Sequence, residues 1–146
     1  MAVPAAPKDV DAVFAAMTPP VEARARELRA LVFDVAEAEG LAAPEETLRW
    51  GEPAYLPGKS GTAVRITADK SREGCKVLVH CQTSLVETWR DRFGDRLGFE
   101  GNRAVLVPAS EDIDRDALAI CIADALTYRK KADALTYRKK KEPARG

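Results

Sequence analysis

Hydrophobic positions in the first forty residues recur at helical spacing. Val10, Val13, Phe14 and Met17 follow Asp9 at steps of three and one, and Pro19-Pro20 closes the pattern, which predicts a short first helix. Val21, Ala25, Leu28, Val32 and Val35 continue at steps of four and three. Glu22, Arg24, Arg26 and Arg29 fall mostly off that stripe, so a second, longer helix presents one buried face. Gly40 stands where a left-handed residue can close its last turn.

After Pro44 the pattern shortens to extended segments at 47–50, 63–68, 75–81 and 103–107, which predict a mostly antiparallel sheet. Along the third segment Cys75, Val77, Val79 and Cys81 share one face and Lys76, Leu78 and His80 the other, because side chains alternate along a strand. The odd face is the one expected to be buried. Ser84 and Glu87 have the spacing of a capping box, and Leu85, Trp89 and Phe93 line the inner face of the helix it opens, with Gly94 as the stop. Glu111, Asp112 and Asp114 crowd the start of a last helix, where the macrodipole favours negative charge, and Leu118, Cys121, Ile122 and Ala125 form its stripe. The expectation is one α+β domain, with a sheet of about four to five strands packed against N-terminal, middle and C-terminal helices. Residues 1–9 are assigned to a flexible N-terminus, 10–129 to the domain and 130–146 to a basic C-terminal tail.

Composition supports a single globular domain: 146 residues, 46% hydrophobic and 32% charged. Apolar runs fall far short of the ~18 residues of a membrane span. The N-terminus lacks the basic and apolar regions of a secretory signal, and three cysteines without a C-x-x-C pair suit a reducing compartment, so a cytoplasmic protein with free thiols is expected. The net charge of zero hides an asymmetry. From Ala123 onward eight Lys or Arg face three acids, a net +5, which leaves −5 on residues 1–122. The tail can add weak, salt-sensitive attraction to nucleic acid, but a solvated end is the plainer reading. Within it ADALTYRKK occurs twice in tandem, at 123–131 and 132–140. Nine helical residues turn the second copy by roughly half a revolution, so it cannot repeat the contacts of the first.

Several motifs fail on their chemistry. Gly58-Lys59-Ser60 resembles the end of a phosphate-binding loop, but Pro53 occupies the place of its first glycine and a strand, not a helix, follows. Asp112, Asp114 and Asp116 have the opening spacing of a calcium loop, but Ala117 and Ala123 replace its glycine and distal glutamate, leaving helix capping as the explanation. His80 and Cys81 point to opposite faces of a regular strand, and only a bulge would make them a nucleophilic dyad. Asp34, Glu37, Glu45 and Glu46 belong to an acidic stretch without Lys or Arg, the oxygen-rich chemistry that a hard cation prefers. A solvated helix end is the plainer explanation. In TLRWGEPAY, Arg49, Trp50, Glu52 and Tyr55 combine stacking surface, charge and a rigid Gly-x-Pro bend that can line a small pocket, although Trp50 could instead fill the core. Cys81, Gln82 and Thr83 lie at one strand end. Glu100, Asn102 and Arg103 surround a Gly-Asn turn, where Glu100 and Arg103 could pair.

TLRWGEPAY, GTAVRI, VHCQTSLVETWRDRFGDRLGFEGNRAVLV and CIADALTYR together resemble the YdhG-like family of bacterial domains of unknown function, over about residues 10–129. The resemblance implies a compact α+β domain with an antiparallel sheet on helices. Some relatives are labelled frataxin-like iron chaperones, which implies weak iron binding by acidic surface groups. Arg129 stands where one branch of the family carries histidine, and arginines are scattered along the second helix, both departures from that picture. The leading expectation is a non-catalytic domain, monomeric or homodimeric, that binds a small ligand or a protein, with the strand ends around Cys81 to Thr83 and Glu100 to Arg103 as the candidate surface. An iron-binding chaperone and an enzyme with Cys81 as nucleophile are the alternatives.

Overall fold

The computed structural model describes residues 3–71, 73–80 and 83–129. Among them are four helices, α1 (Lys8–Ala15), α2 (Pro19–Ala38), α3 (Leu85–Phe93) and α4 (Arg115–Leu126). The strands are β1 (Glu45–Arg49), β2 (Glu52–Leu56), β3 (Val64–Ala68), β4 (Gly74–Leu78), β5 (Gly98–Glu100) and β6 (Ala104–Pro108). They form one sheet in the order β1-β2-β3-β4-β6-β5, with every neighbouring pair antiparallel. The fold is α+β as the pattern predicts, with six strands rather than four or five.

The two additional strands have physical reasons for escaping the pattern. β2 carries Pro53, which normally argues against a strand inside a sheet. Pro53 pairs with Leu48, while the β2–β3 ladder uses only Ala54 and Tyr55, so the missing N–H falls outside that ladder. β5 has only three residues and shows no alternation of its own.

Register divides the sheet into two unlike faces. Tyr55, Val64, Ile66, Cys75, Val77, Val79, Val105 and Val107 join the helical stripes of α1, α2, α3 and α4 in one core. The opposite face carries Arg49, Glu52, Ala54 and Leu56, then Arg65, Lys76, Leu78, Ala104, Leu106 and Glu100, none of which belongs to that core. Ala54, Leu78 and Ala104 are nevertheless buried there, and so is Lys76, whose ammonium pairs with Glu100. The even side of β4 is therefore buried too, by its neighbours on the sheet rather than by helices.

The C-terminus of α4 fixes the entry to β3. Gly61 packs so tightly that a Cβ there would come within 2.3 Å of the Ala125 oxygen and the Leu126 carbonyl group. Thr62 N–H donates to the Ala125 oxygen and Ser60 Oγ to the Leu126 oxygen, so two carbonyls that the helix end leaves unpaired are satisfied. Gly58-Lys59-Ser60 is thus a 3₁₀ turn that stitches strand to helix.

At the end of α2, Gly40 has φ +70°; its N–H donates to the Glu37 oxygen and that of Leu41 to the Ala36 oxygen, the paired bonds of a Schellman motif. The capping box at α3 does not form. Ser84 has φ −89° and ψ 10°, nearly helical, whereas a side-chain cap requires an extended residue. The Ser84 carbonyl instead accepts from both the amide and the hydroxyl of Thr88. Asp114 does cap α4, accepting from the Ala117 N–H at 3.1 Å. At the N-terminus, Val3 and Ala6 pack against the core and the Pro4 carbonyl accepts from Arg29, so these residues are docked rather than free. The basic tail and second ADALTYRKK copy, 130–146, lie outside the described residues.

Candidate functional site

The β1–β2 hairpin has a two-residue loop, Trp50-Gly51, closed by the pair Arg49 and Glu52. Both loop residues have positive φ, 51° and 76°, the pattern of a type I′ turn, which favours Asn-Gly because the twist of the strands demands left-handed residues. Trp50 holds the asparagine position. It is the one non-glycine residue with positive φ among those described, at a cost on the order of 1 kcal/mol. It buries little in return: Trp50 is 87% exposed, which rules out the core-filling role.

Register then gathers side chains around the indole. Arg65 lies on the same face, its guanidinium carbon 5.2 Å from the centroid of the Trp50 ring, and it pairs with Glu52. Arg49, Trp50 and Arg65 line a cleft of about 280 Å³ together with Leu56, Thr62, Ala63 and His80. The lining contains two guanidinium groups and no carboxylate. Arg65 is neutralised by Glu52, but among the described residues Arg49 has no ion-pair partner.

The other expected site residues are dispersed. Tyr55 lies on the core face, where its hydroxyl donates to Glu46 at 2.9 Å. Burial foremost, then the neighbouring Glu46 carboxylate, push its phenol well above the ordinary range. Arg29 donates to the same carboxylate through Nε at 2.6 Å and Nη2 at 2.8 Å, and those hydrogen bonds to Glu46 raise the guanidinium further. Arg29 is therefore buried, not on the solvent side of α2. Glu100 pairs with Lys76 and not with Arg103 across the turn. Asn102 and Arg103 are exposed in the β5–β6 loop, where the Arg103 carbonyl accepts from Val79 N–H. Thr83 folds back, its hydroxyl donating to the His80 carbonyl at 2.8 Å. Cys81 and Gln82 lie outside the described residues.

The acidic candidates do not assemble. Glu46 is held by Arg29 and Tyr55, Asp34 pairs with Arg115 at 3.4 Å, and Glu45 is exposed at the sheet edge. Among the described residues no three His, Cys, Asp or Glu side chains group as metal ligands. Asp34 and Glu37 do border a larger hollow of about 560 Å³ beneath Pro4, but its remaining lining is apolar or backbone-rich, with Phe33, Gly40 and Leu41. The Trp50 cleft is smaller but carries the convergent polar groups that orient a ligand. Cys75 and Cys121 are both buried, and desolvation pushes their thiols up to about 11 and about 12. Neither is poised as a thiolate.

Arg65, Thr62, Ala63, Leu56 and His80 are the cleft residues that motif reading did not assign to a pocket. The signal was present in GTAVRITA, where Ala63, Arg65 and Thr67 alternate with the core residues Val64 and Ile66 and with Ala68, which packs against them. No helix among the described residues is long and apolar enough to cross a membrane. Comparisons with models of protein families, with curated proteins and with solved structures find no match to this chain.

Proposed function

We propose that this protein is a non-catalytic binding domain that takes a small ligand in the Trp50 cleft, on the face of the sheet that the helices leave uncovered. One observation carries the reading. A tryptophan occupies the strained position of a tight turn, where asparagine or glycine would fold more favourably, and leaves its ring in solvent beside two arginines. Backbone strain with no packing return is the mark of a residue kept for what it contacts. We also take the chain to be a YdhG-like domain; the α+β class that this resemblance implies is the class observed.

The test is a screen of single-ring fragments against the full chain, read by the indole N–H of Trp50 and the amides of residues 49–65. The account expects saturable shifts confined to the cleft. Shifts centred on the hollow beneath Pro4, with the Trp50 signal unmoved, contradict it.

A further inference from the structure

The cleft's chemistry also specifies a class of ligand. Its volume of about 280 Å³ lies at the small end for organic ligands, enough for one ring and one polar group. Its wall is the exposed face of an indole, and Leu56 and Ala63 add apolar surface. These features select a flat, partly apolar body, because aromatic faces gain from offset stacking beyond the area they bury. The polar groups select its charge. Arg65 is committed to Glu52 and to the Trp50 ring, so it serves as a fixed wall that holds the indole in place. Arg49 has no described ion-pair partner, and its guanidinium can take a carboxylate through two parallel hydrogen bonds. No lining carboxylate repels such a group, whereas a cationic ligand would meet two guanidiniums.

Resting on the proposal that this cleft binds a small ligand, we infer that the ligand is a single-ring aromatic carboxylate, its ring against Trp50 and its carboxylate on Arg49. His80 also lines the cleft, so the bound ring lies within its reach.

The experiment titrates the full chain with three probes of similar shape: sodium benzoate, neutral benzamide and cationic benzylammonium. The indole N–H of Trp50 is the reporter. The only other tryptophan, Trp89, is buried and bonded to Asp124, which separates the two signals. Benzoate is expected to bind about tenfold more tightly than benzamide, the scale of one charge-assisted bidentate contact. Arg49→Gln, at an exposed position, is expected to abolish that preference by weakening benzoate about tenfold more than it weakens benzamide. If benzamide or benzylammonium binds as well as benzoate, the carboxylate inference is overturned while the cleft stands. If none of the three moves Trp50, both the inference and the cleft reading fall. Unaltered benzoate preference in Arg49→Gln overturns the assignment of the carboxylate to Arg49.

Discussion

Glu46 shows how far a residue's neighbours can change its meaning. In the chain it is one of a run of acids suited to a cation, but in the fold it accepts from Arg29 and from Tyr55 between β1 and α2. The side chains of Arg29 and Glu46 are only 10% and 7% exposed, so removing one charge strands the other. Glu46→Gln is expected to destabilise the protein by about 3 kcal/mol in urea unfolding. Tyr55→Phe, which removes one neutral donor, should cost about 1 kcal/mol. Equal, negligible losses would show that this carboxylate is solvated rather than locked. The two buried thiols make a separate statement. Burial raises their folded pKa values above the ordinary thiol value of 9.0, so the stability they contribute is complete below pH 9 and is lost as pH rises toward about 11 for Cys75 and about 12 for Cys121. Iodoacetamide at pH 8, mapped by peptide mass spectrometry, should label both only at the rate of global unfolding. Rapid labelling of either would contradict its burial.

Among the elements, two helix starts that look alike in sequence differ in the fold. Ser84 precedes α3 with a near-helical backbone and no side-chain cap, whereas Asp114 accepts from Ala117 N–H and pairs with Arg96 at 2.8 Å. That hydrogen bond from Arg96, and then the one from the Ala117 backbone, hold the Asp114 carboxyl below its ordinary value of 3.8. A depressed folded value means that the contribution is present above about pH 4 and is lost as pH falls below it. Asp114→Asn should therefore lower the Tm at pH 7, with the difference from the parent narrowing as pH falls below 4. Ser84→Ala should stay within about 0.5 kcal/mol of the parent at either pH. A larger loss from Ser84→Ala than from Asp114→Asn in thermal unfolding would reverse this assignment.

At the scale of the molecule, what was legible in sequence was what depends on local periodicity. Val21, Ala25, Leu28, Val32 and Val35 mark the buried face of α2, Gly40 and Gly94 mark helix ends, and all these positions behave as their pattern predicts. The cleft was legible only in half. Arg49 and Trp50 could be singled out by composition, but their link to Arg65 and His80 depends on strand register, which Pro53 obscured by concealing β2. Without β2 there is no hairpin, and without the hairpin Trp50 has no reason to be left-handed. Glu100, Asn102 and Arg103 looked equivalent to the TLRWGEPAY residues, yet the sheet order places β5 at the edge opposite β1 and separates the two groups.

The resulting molecule has one face that holds the fold together and another that presents side chains to solvent. The central claim is that Trp50 belongs wholly to the second. Equilibrium urea unfolding of Trp50→Asn tests it most directly, because asparagine suits the left-handed turn and cannot replace the ring. The account predicts a variant at least as stable as the parent, by up to about 1 kcal/mol. A loss of 1 kcal/mol or more, about what a structural cation–π and packing role would contribute, would contradict it.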